Sequence, residues 1–79
     1  KNINLSKIDP KSRLQEWCLK HKKKLPIYEL LSKTGPDHEP KFQIKVIVDT
    51  CTFSAAEGNS KQDAEINAAK KLLKEISDQ

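Results

Sequence analysis

Hydrophobic positions in the first third of the chain recur at helical spacing. Leu14, Trp17, Cys18 and His21 follow one another at intervals of three and four residues. This spacing places all four on one side of an α-helix and leaves polar residues on the other sides. The pattern therefore predicts an amphipathic helix.

The residues on either side of this run indicate where the helix begins and ends. Asp9 can cap a helix, and Pro10 suits the first helical position. Pro26 disfavours helical geometry in the residue before it, so we expect the helix to end near residues 22–24. Residues 1–8 have no clear period and are expected to form a linker or flexible arm.

The middle of the chain alternates between apolar and polar residues with a period of two. Residues 42–48 show the clearest alternation, and residues 27–32 and 51–57 show shorter versions of it. Such alternation predicts three strands. Residues 33–40 contain one glycine and two prolines and are expected to form a loop, and a tight turn is expected at residues 49–50.

The last part of the chain returns to helical spacing. Ser60 and Asp63 form an S-x-x-D pattern, which is typical of a helix start. The apolar stripe that follows is wide and rich in alanine; it comprises Ala64, Ala68, Ala69, Leu72, Leu73 and Ile76. Small side chains would let this helix approach a neighbouring element closely.

The predicted order is helix, strand, strand, strand, helix. Successive strands joined by short loops pair antiparallel, and both amphipathic helices must bury their apolar sides. We therefore expect an α+β fold of order α-β-β-β-α, with a three-stranded antiparallel sheet and two helices packed on one face. One domain is expected over residues 9–77. Because the chain begins with Lys1 and not Met, we expect it to be a piece of a longer protein or a processed form.

The composition limits the classes of function that the chain could have. The chain has 79 residues, of which 33% are charged, and a formal net charge of +4. A positive balance favours an anionic partner. It has no apolar run long enough to span a membrane and no signal-peptide pattern. Lysines cluster at residues 20–24; whether this cluster contributes to binding is left open.

Neither the cysteines nor the histidines suggest catalysis or metal binding. Cys18 and Cys51 lack the paired spacing of metal ligands and are expected to be reduced thiols in or near the core of an intracellular protein, although a disulfide stays open. His21 lies on the apolar side of the first helix, and no recognisable nucleophile, phosphate-loop or zinc-hydrolase motif is present. We expect no catalytic residue, no metal ligand and no cofactor in this chain.

Three polar features favour nucleic-acid binding. They are a polar side of the first helix, an exposed loop with a histidine, and the start of the second helix. The residues concerned are Ser12, Gln15, Glu16, His38, Ser60, Lys61 and Gln62. A helix N-terminus offers unpaired N–H groups to phosphate, and Gln, Glu and His provide partners for a ribose 2′-hydroxyl. Polar helix surfaces are also common without any partner, so these residues alone leave the function open.

Three sequence motifs resemble those of the double-stranded RNA-binding domain. They are "DPKSRLQEW", "YELLSKTGPDHEPKF" and "EGNSKQDAEINAA", which occur in this order. Within the family, the chain is most similar to the C-terminal domain of bacterial-type ribonuclease III. The resemblance covers residues 9–76 and implies the same α-β-β-β-α order that the periodicity predicts.

The resemblance also implies a binding mode along one face of an RNA duplex. Ser12, Gln15 and Glu16 would contact one minor groove, and Pro36 and His38 would contact the next. The start of the second helix, with Ser60, Lys61 and Gln62, would contact the phosphates between them. Such domains span about 16 base pairs and recognise shape more than sequence. Trp17, Tyr28 and Phe42 are expected in the core, because an intact duplex leaves no splayed base for stacking.

Two residues depart from the pattern of many family members. Gln62 stands where a second lysine is frequent, and Glu65 stands where a third is frequent, although ribonuclease III members often have glutamate there. Losing a cation should weaken phosphate binding. Lys11, Lys41, Lys45 or the cluster at residues 20–24 could compensate.

The host protein is a further expectation from the resemblance. Nothing in this chain resembles the acidic magnesium-binding signature of the ribonuclease III catalytic domain. We expect a substrate-binding module of a cytoplasmic endoribonuclease that processes ribosomal and other structured RNA. Magnesium would belong to the nuclease domain; the full-length host would be a homodimer and the isolated domain a monomer. The alternatives are a non-nuclease host, or a domain of this type that mediates protein–protein interaction.

Overall fold

The computed structural model describes residues 10–77, which form two helices and one sheet. The elements are α1 (Pro10–Lys20), β1 (Ile27–Thr34), β2 (Lys41–Asp49), β3 (Thr52–Gly58) and α2 (Lys61–Ser77). The sheet is antiparallel with β2 in the centre. This confirms the predicted fold and element order. The predicted arm and its neighbour Asp9 lie outside the described residues.

The core lies between the sheet and the two helices. α2 packs across β2 and β3, and α1 packs beside α2. The buried cluster comprises Leu14, Cys18, Val46, Val48, Ala68, Ala69 and Leu72, with Trp17 and Tyr28 packed against it. The predicted stripe of α2, the alternation of β2, and Leu14, Trp17 and Cys18 of the first helical stripe therefore face the core. His21, the fourth residue of that stripe, lies beyond the end of α1 and is exposed. Phe42 is only half-buried, at the end of the sheet beside Gly58.

α1 ends at Lys20, two to four residues earlier than the sequence suggested. The N–H of Lys22 donates to the carbonyl of Leu19, and the N–H of Lys23 donates to the carbonyl of Cys18. Lys22 has a φ of 59°. These are the two hydrogen bonds and the left-handed residue of a Schellman motif, which stops a helix in a single turn. Glycine is the usual signal for this motif, and here lysine occupies the position.

The turn between β2 and β3 lies one residue later than predicted. Asp49 pairs with Thr52, so the turn residues are Thr50 and Cys51. Asp49 Oδ1 accepts a hydrogen bond of 2.9 Å from the N–H of Cys51, which fixes the turn. Cys51 is consequently exposed, so the expectation of two thiols in or near the core is wrong for this one. Cys18 is a buried free thiol, and burial raises its pKa.

The apolar side of β3 faces away from the helices. Phe53 lies opposite Ile47, and residues opposite each other in an antiparallel pair share a face of the sheet. Ile47 alternates with the buried Val46 and Val48, so Phe53 is on the open face and is 48% exposed. Its neighbour Ser54 faces the core and is 6% exposed.

Side chains of α2 cap the free edge of β3. Asn67 Nδ2 donates a 2.8 Å hydrogen bond to the carbonyl of Glu57, and Lys71 Nζ donates a 3.2 Å hydrogen bond to the carbonyl of Ala55. Unpaired edge strands invite pairing with another chain, and such caps reduce that tendency. Neither described helix is long and apolar enough to cross a bilayer.

Candidate nucleic-acid interface

α1 presents its predicted polar residues to solvent. Ser12, Gln15 and Glu16 are exposed, at the three- and four-residue intervals that place them on one side of the helix. Leu14 and Cys18 are buried and anchor the opposite side of α1 on the core. The outward side is therefore held in one orientation by the inward side.

The loop between β1 and β2 is shorter than predicted and is closed by a defined turn. β1 continues to Thr34, which pairs with Lys41, so the loop comprises residues 35–40. The N–H of Glu39 donates to the carbonyl of Pro36 at 3.0 Å. This bond closes a four-residue turn in which His38 is third, and His38 is exposed.

Gly35 makes this loop shape possible. Its φ is 87°, a left-handed conformation that side chains rarely adopt, and a Cβ there would lie 2.6 Å from the carbonyl oxygen of Glu39. Glycine therefore allows β1 to turn directly into the loop that carries Pro36 and His38.

The start of α2 is a capped helix N-terminus. The N–H of Asp63 donates to Ser60 Oγ at 3.0 Å, and the N–H of Ala64 donates to the Ser60 carbonyl at 2.9 Å. Ser60 is thus the N-cap that the S-x-x-D pattern predicts. The N–H groups of Lys61 and Gln62 come before the first intrahelical bond and point away from the helix toward solvent. A phosphate placed there would meet two donors and the positive end of the helix dipole.

The fold brings these three features to one end of the molecule. Phe42, which follows the loop, pairs with Gly58, which precedes α2. A Cβ at Gly58 would lie 2.7 Å from the backbone carbon of Asp63, so strand and helix meet closely here. Lys11 at the start of α1 forms a 2.6 Å ion pair with Glu65 in α2. The loop, the start of α2 and the first turn of α1 therefore lie near one another, and all eight predicted contact residues are exposed or half-exposed.

This surface carries no net charge despite the positive balance of the whole chain. Residues 10–16, 33–41 and 60–65 contain five basic and five acidic residues. The basic ones are Lys11, Arg13, Lys33, Lys41 and Lys61; the acidic ones are Glu16, Asp37, Glu39, Asp63 and Glu65. The excess of positive charge among the described residues lies elsewhere.

The lysine cluster at residues 20–24 lies at the opposite end of the sheet. Lys23 Nζ lies 2.9 Å from Asp49 Oδ2, beside the turn between β2 and β3. β2 separates that turn from Lys41 by about 25 Å, given the rise of a strand. Lys20, Lys22 and Lys24 are exposed and have no ion pair within residues 10–77. The cluster is therefore well separated from the loop and from the start of α2.

Two of the lysines considered as extra phosphate contacts have partners inside the protein. Lys11 is paired with Glu65, and Lys45 Nζ lies 4.7 Å from the ring centroid of Phe53 on the open face of the sheet. Lys41 is exposed beside the loop and remains available. From the sequence, Lys11 was considered as a possible phosphate contact, and Glu65 was considered only as a position where a frequent lysine is missing. Their 54-residue separation hides the pair from any periodicity.

No cluster of three or more potential metal-ligating side chains occurs within residues 10–77.

Comparison with known proteins gives one family. The model of the double-stranded RNA-binding motif matches residues 10–76. The chain is 50% identical to Ribonuclease 3 of Pelagibacter ubique over 72 residues, which cover 91% of this chain and 32% of that protein. It is 48% identical to Ribonuclease 3 of Zymomonas mobilis over 64 residues, covering 81% of this chain and 26% of that one. The chain thus spans about a third or less of the length of these relatives.

Solved structures show the same fold. The structure of Arabidopsis HYL1, described with its implications for miRNA processing, superimposes with a TM-score of 0.74 at 38% identity, covering 86% of this chain and 96% of that one. The second double-stranded RNA-binding domain of DRB4 gives a TM-score of 0.68 at 30% identity, covering 91% of this chain and all of that one.

Proposed function

We propose that this chain, which belongs to the double-stranded RNA-binding motif family, binds duplex RNA through the surface formed by α1, the loop at residues 35–40 and the start of α2. Ser12, Gln15 and Glu16 contact one minor groove, and Pro36 and His38 contact the next. The start of α2 binds the phosphates of the intervening major groove. This spacing along the duplex corresponds to about 16 base pairs.

The observation that carries the proposal is the convergence of the three features at one end of the fold. Ser60 accepts a hydrogen bond from Asp63 and keeps its own hydroxyl proton for donation, beside the outward N–H groups of Lys61 and Gln62. On the loop, the turn closed by Pro36 and Glu39 presents His38 at the tip. Donors for phosphate and partners for the 2′-hydroxyl are therefore held on separate, rigid supports.

The charge balance of the surface means that an excess of cations does not supply the binding. Attraction to any polyanion requires an excess of cations, and the contact segments contain equal numbers of both signs. Binding must then come from groups that fit the duplex closely. A 2′-hydroxyl and A-form groove spacing, which DNA lacks, are the features that such groups distinguish.

The relatives indicate the host. The chain corresponds to the RNA-binding module of proteins named Ribonuclease 3 and covers about a third or less of their length. We infer that the host is a double-strand-specific endoribonuclease in the cytoplasm that matures ribosomal and other structured RNA. Magnesium and dimerisation would belong to its nuclease domain, and the isolated module would be monomeric.

The alternative role as a protein-interaction domain has less support. It rested on the reduced positive charge at Gln62 and Glu65. Glu65 is paired with Lys11 and is not a free acidic group on the surface, so half of that motivation is explained within the fold. A non-nuclease host remains compatible with the RNA-binding surface itself.

Three single substitutions test the proposed surface, one for each feature. Gln15→Ala, His38→Ala and Lys61→Ala should each weaken binding to a ~20-base-pair RNA duplex, a length that exceeds one site. The fold supplies matched controls at the opposite end: His21→Ala for the histidine and Lys24→Ala for the lysine. Ser60→Ala is unsuitable because it also removes the helix cap.

Fluorescence anisotropy would measure each affinity, with circular dichroism to verify folding. Weaker binding for the three test variants and unchanged binding for the controls supports the surface. If the three test variants bound RNA as tightly as the unmodified chain, the surface would be wrong.

A further inference from the structure

The ion pair between Lys11 and Glu65 joins two of the three proposed contact features. Its length is 2.6 Å, and the two side chains are 37% and 26% exposed. Lys11 Nζ also lies 5.0 Å from the ring centroid of Tyr28 in β1. The first turn of α1 is thus linked to α2 and to the sheet through one ammonium group.

The ion pair connects the first turn of α1 to α2, and this turn has no buried residue of its own. The buried residues of α1 are Leu14 and Cys18, so residues 10–13 lie beyond the buried anchors. Lys11 and Glu65 supply a direct contact between the helices at that end. Ser12 follows Lys11 in the sequence, and Lys61 lies one helical turn before Glu65. Any shift of α1 relative to α2 would change the distance between a minor-groove contact and a phosphate contact.

We infer that Lys11 and Glu65 are positioning residues for duplex recognition, and that Lys11 is not a phosphate contact. The inference rests on the proposed function. Recognition by shape requires that the groups entering successive grooves keep a fixed spacing, and fixing it before binding lowers the ordering cost of association. Many family members have a lysine at position 65 that could contact phosphate. The glutamate found here instead fixes the arrangement of the two helices.

The two roles of Lys11 predict opposite effects for one substitution. If Lys11 binds phosphate, Glu65 competes for its ammonium group, and Glu65→Gln should strengthen RNA binding and steepen its salt dependence. If the pair positions the helices, Glu65→Gln should weaken binding even though it removes a negative charge near an anionic ligand.

The experiment measures affinity for a ~20-base-pair RNA duplex at several salt concentrations. We expect Lys11→Gln and Glu65→Gln each to weaken binding by about two- to fivefold, the range for a partly exposed ion pair. The slope against salt should stay unchanged, because no phosphate contact is lost. The charge-swapped double variant, Lys11→Glu with Glu65→Lys, should recover most of the affinity with an unchanged salt slope, which excludes a new phosphate contact from the introduced lysine. Lys11→Arg should retain the affinity.

Asp63→Asn is the matched control. Asp63 is another acid at the start of α2, and its side chain has no ion pair within the described residues. Removing its charge should leave binding unchanged or strengthen it slightly. A loss at Glu65→Gln together with no loss at Asp63→Asn would assign the effect to the pair and exclude a general effect of acidic residues.

Three results would overturn the inference. They are tighter binding by Glu65→Gln, a salt slope reduced by about one unit in Lys11→Gln, and no recovery in the folded charge-swapped variant. If either single variant failed to fold, Lys11→Arg and the charge-swapped variant would still decide the matter. Failure of the unmodified chain to bind RNA would instead contradict the proposed function.

Discussion

Lys23 Nζ lies 2.9 Å from Asp49 Oδ2, and this ion pair joins the end of α1 to the turn between β2 and β3. Asp49 also accepts a hydrogen bond from the N–H of Cys51 through its other oxygen. One carboxylate therefore connects the end of α1 to the turn between β2 and β3, at the end of the sheet opposite to the loop at residues 35–40.

The pair should make stability depend on pH in a defined direction. The hydrogen bond from Lys23, followed by those from Cys51 and Thr52, lowers the pKa of Asp49 from 3.8 to about 2. A group whose pKa is depressed by folding stabilises the protein above its ordinary pKa, and this contribution is lost as pH falls through the folded value. The same pair raises the pKa of Lys23 above 10.5, so its contribution is present below that pH and is lost at higher pH.

Asp49→Asn should therefore lower the thermal unfolding temperature at pH 7, and the difference from the unmodified chain should disappear as pH falls from about 4 to about 2. The asparagine oxygen can still accept from Cys51, which leaves the turn capped and isolates the ion pair. Thermal unfolding followed by circular dichroism checks this. A difference that stays constant across the whole range would contradict the assignment.

Replacing the left-handed lysine should stabilise the fold. Lys22 has a φ of 59°, which costs a side-chain-bearing residue about 1–2 kcal/mol, while glycine loses about 0.5–1 kcal/mol more entropy on folding. Lys22→Gly should raise the free energy of unfolding by about 0.5 kcal/mol. Urea unfolding measures it, and Lys24→Gly is the control outside the Schellman motif. Lower stability for Lys22→Gly would show that the lysine conformation is not strained.

Alanine at either of the two glycines should destabilise the fold. Gly58→Ala would push a Cβ into the backbone of Asp63 and Ala64 and should cost about 1–3 kcal/mol. Gly35→Ala would place a Cβ 2.6 Å from the carbonyl oxygen of Glu39 at a φ of 87°; it should cost about 1–2 kcal/mol and weaken RNA binding through Pro36 and His38. Urea unfolding and anisotropy measure the two effects. Unchanged stability for either variant would contradict the close backbone approach at that glycine.

Lys22 and Lys24 should not contribute to binding a short duplex. They flank Lys23, which is paired with Asp49 about 25 Å along β2 from Lys41, well beyond the ~8 Å screening length at physiological salt. Replacing both by Gln should leave affinity and salt slope unchanged. Lys20 is kept in this variant, because it lies one helical turn after Glu16. Lys61→Gln should reduce the slope by about one unit. A reduced slope for the double variant would place these lysines within the RNA footprint.

Local patterns predicted most of the fold because each element buries one side. The alanine-rich stripe of α2 and the alternation of β2 result from that burial, and both face the core. The side of β3 that faces the core could not be predicted, because the turn falls one residue later than expected and Phe53 lies opposite Ile47 on the open face. The exact end of α1 could not be predicted either, because the left-handed position that ends the helix is usually a glycine and is here Lys22.

The candidate surface was predicted in its parts but not in its electrostatics. Each of its three features has a local signature: a polar helix side, a glycine–proline loop, and a serine cap. The neutralisation of Lys11 by Glu65 depends on residues far apart in the chain and becomes visible only when the helices are packed. The same packing explains why the net positive charge of the chain does not describe its contact surface.

Discrimination between RNA and DNA tests the central claim most directly. The measurement is anisotropy of the domain with a ~20-base-pair RNA duplex and a DNA duplex of the same sequence, each at two salt concentrations. The account predicts clear binding to RNA, little binding to DNA, and a modest salt dependence, since the contact surface has no net charge. Equal, weak binding to both duplexes that falls steeply with salt would contradict recognition of the 2′-hydroxyl and A-form shape.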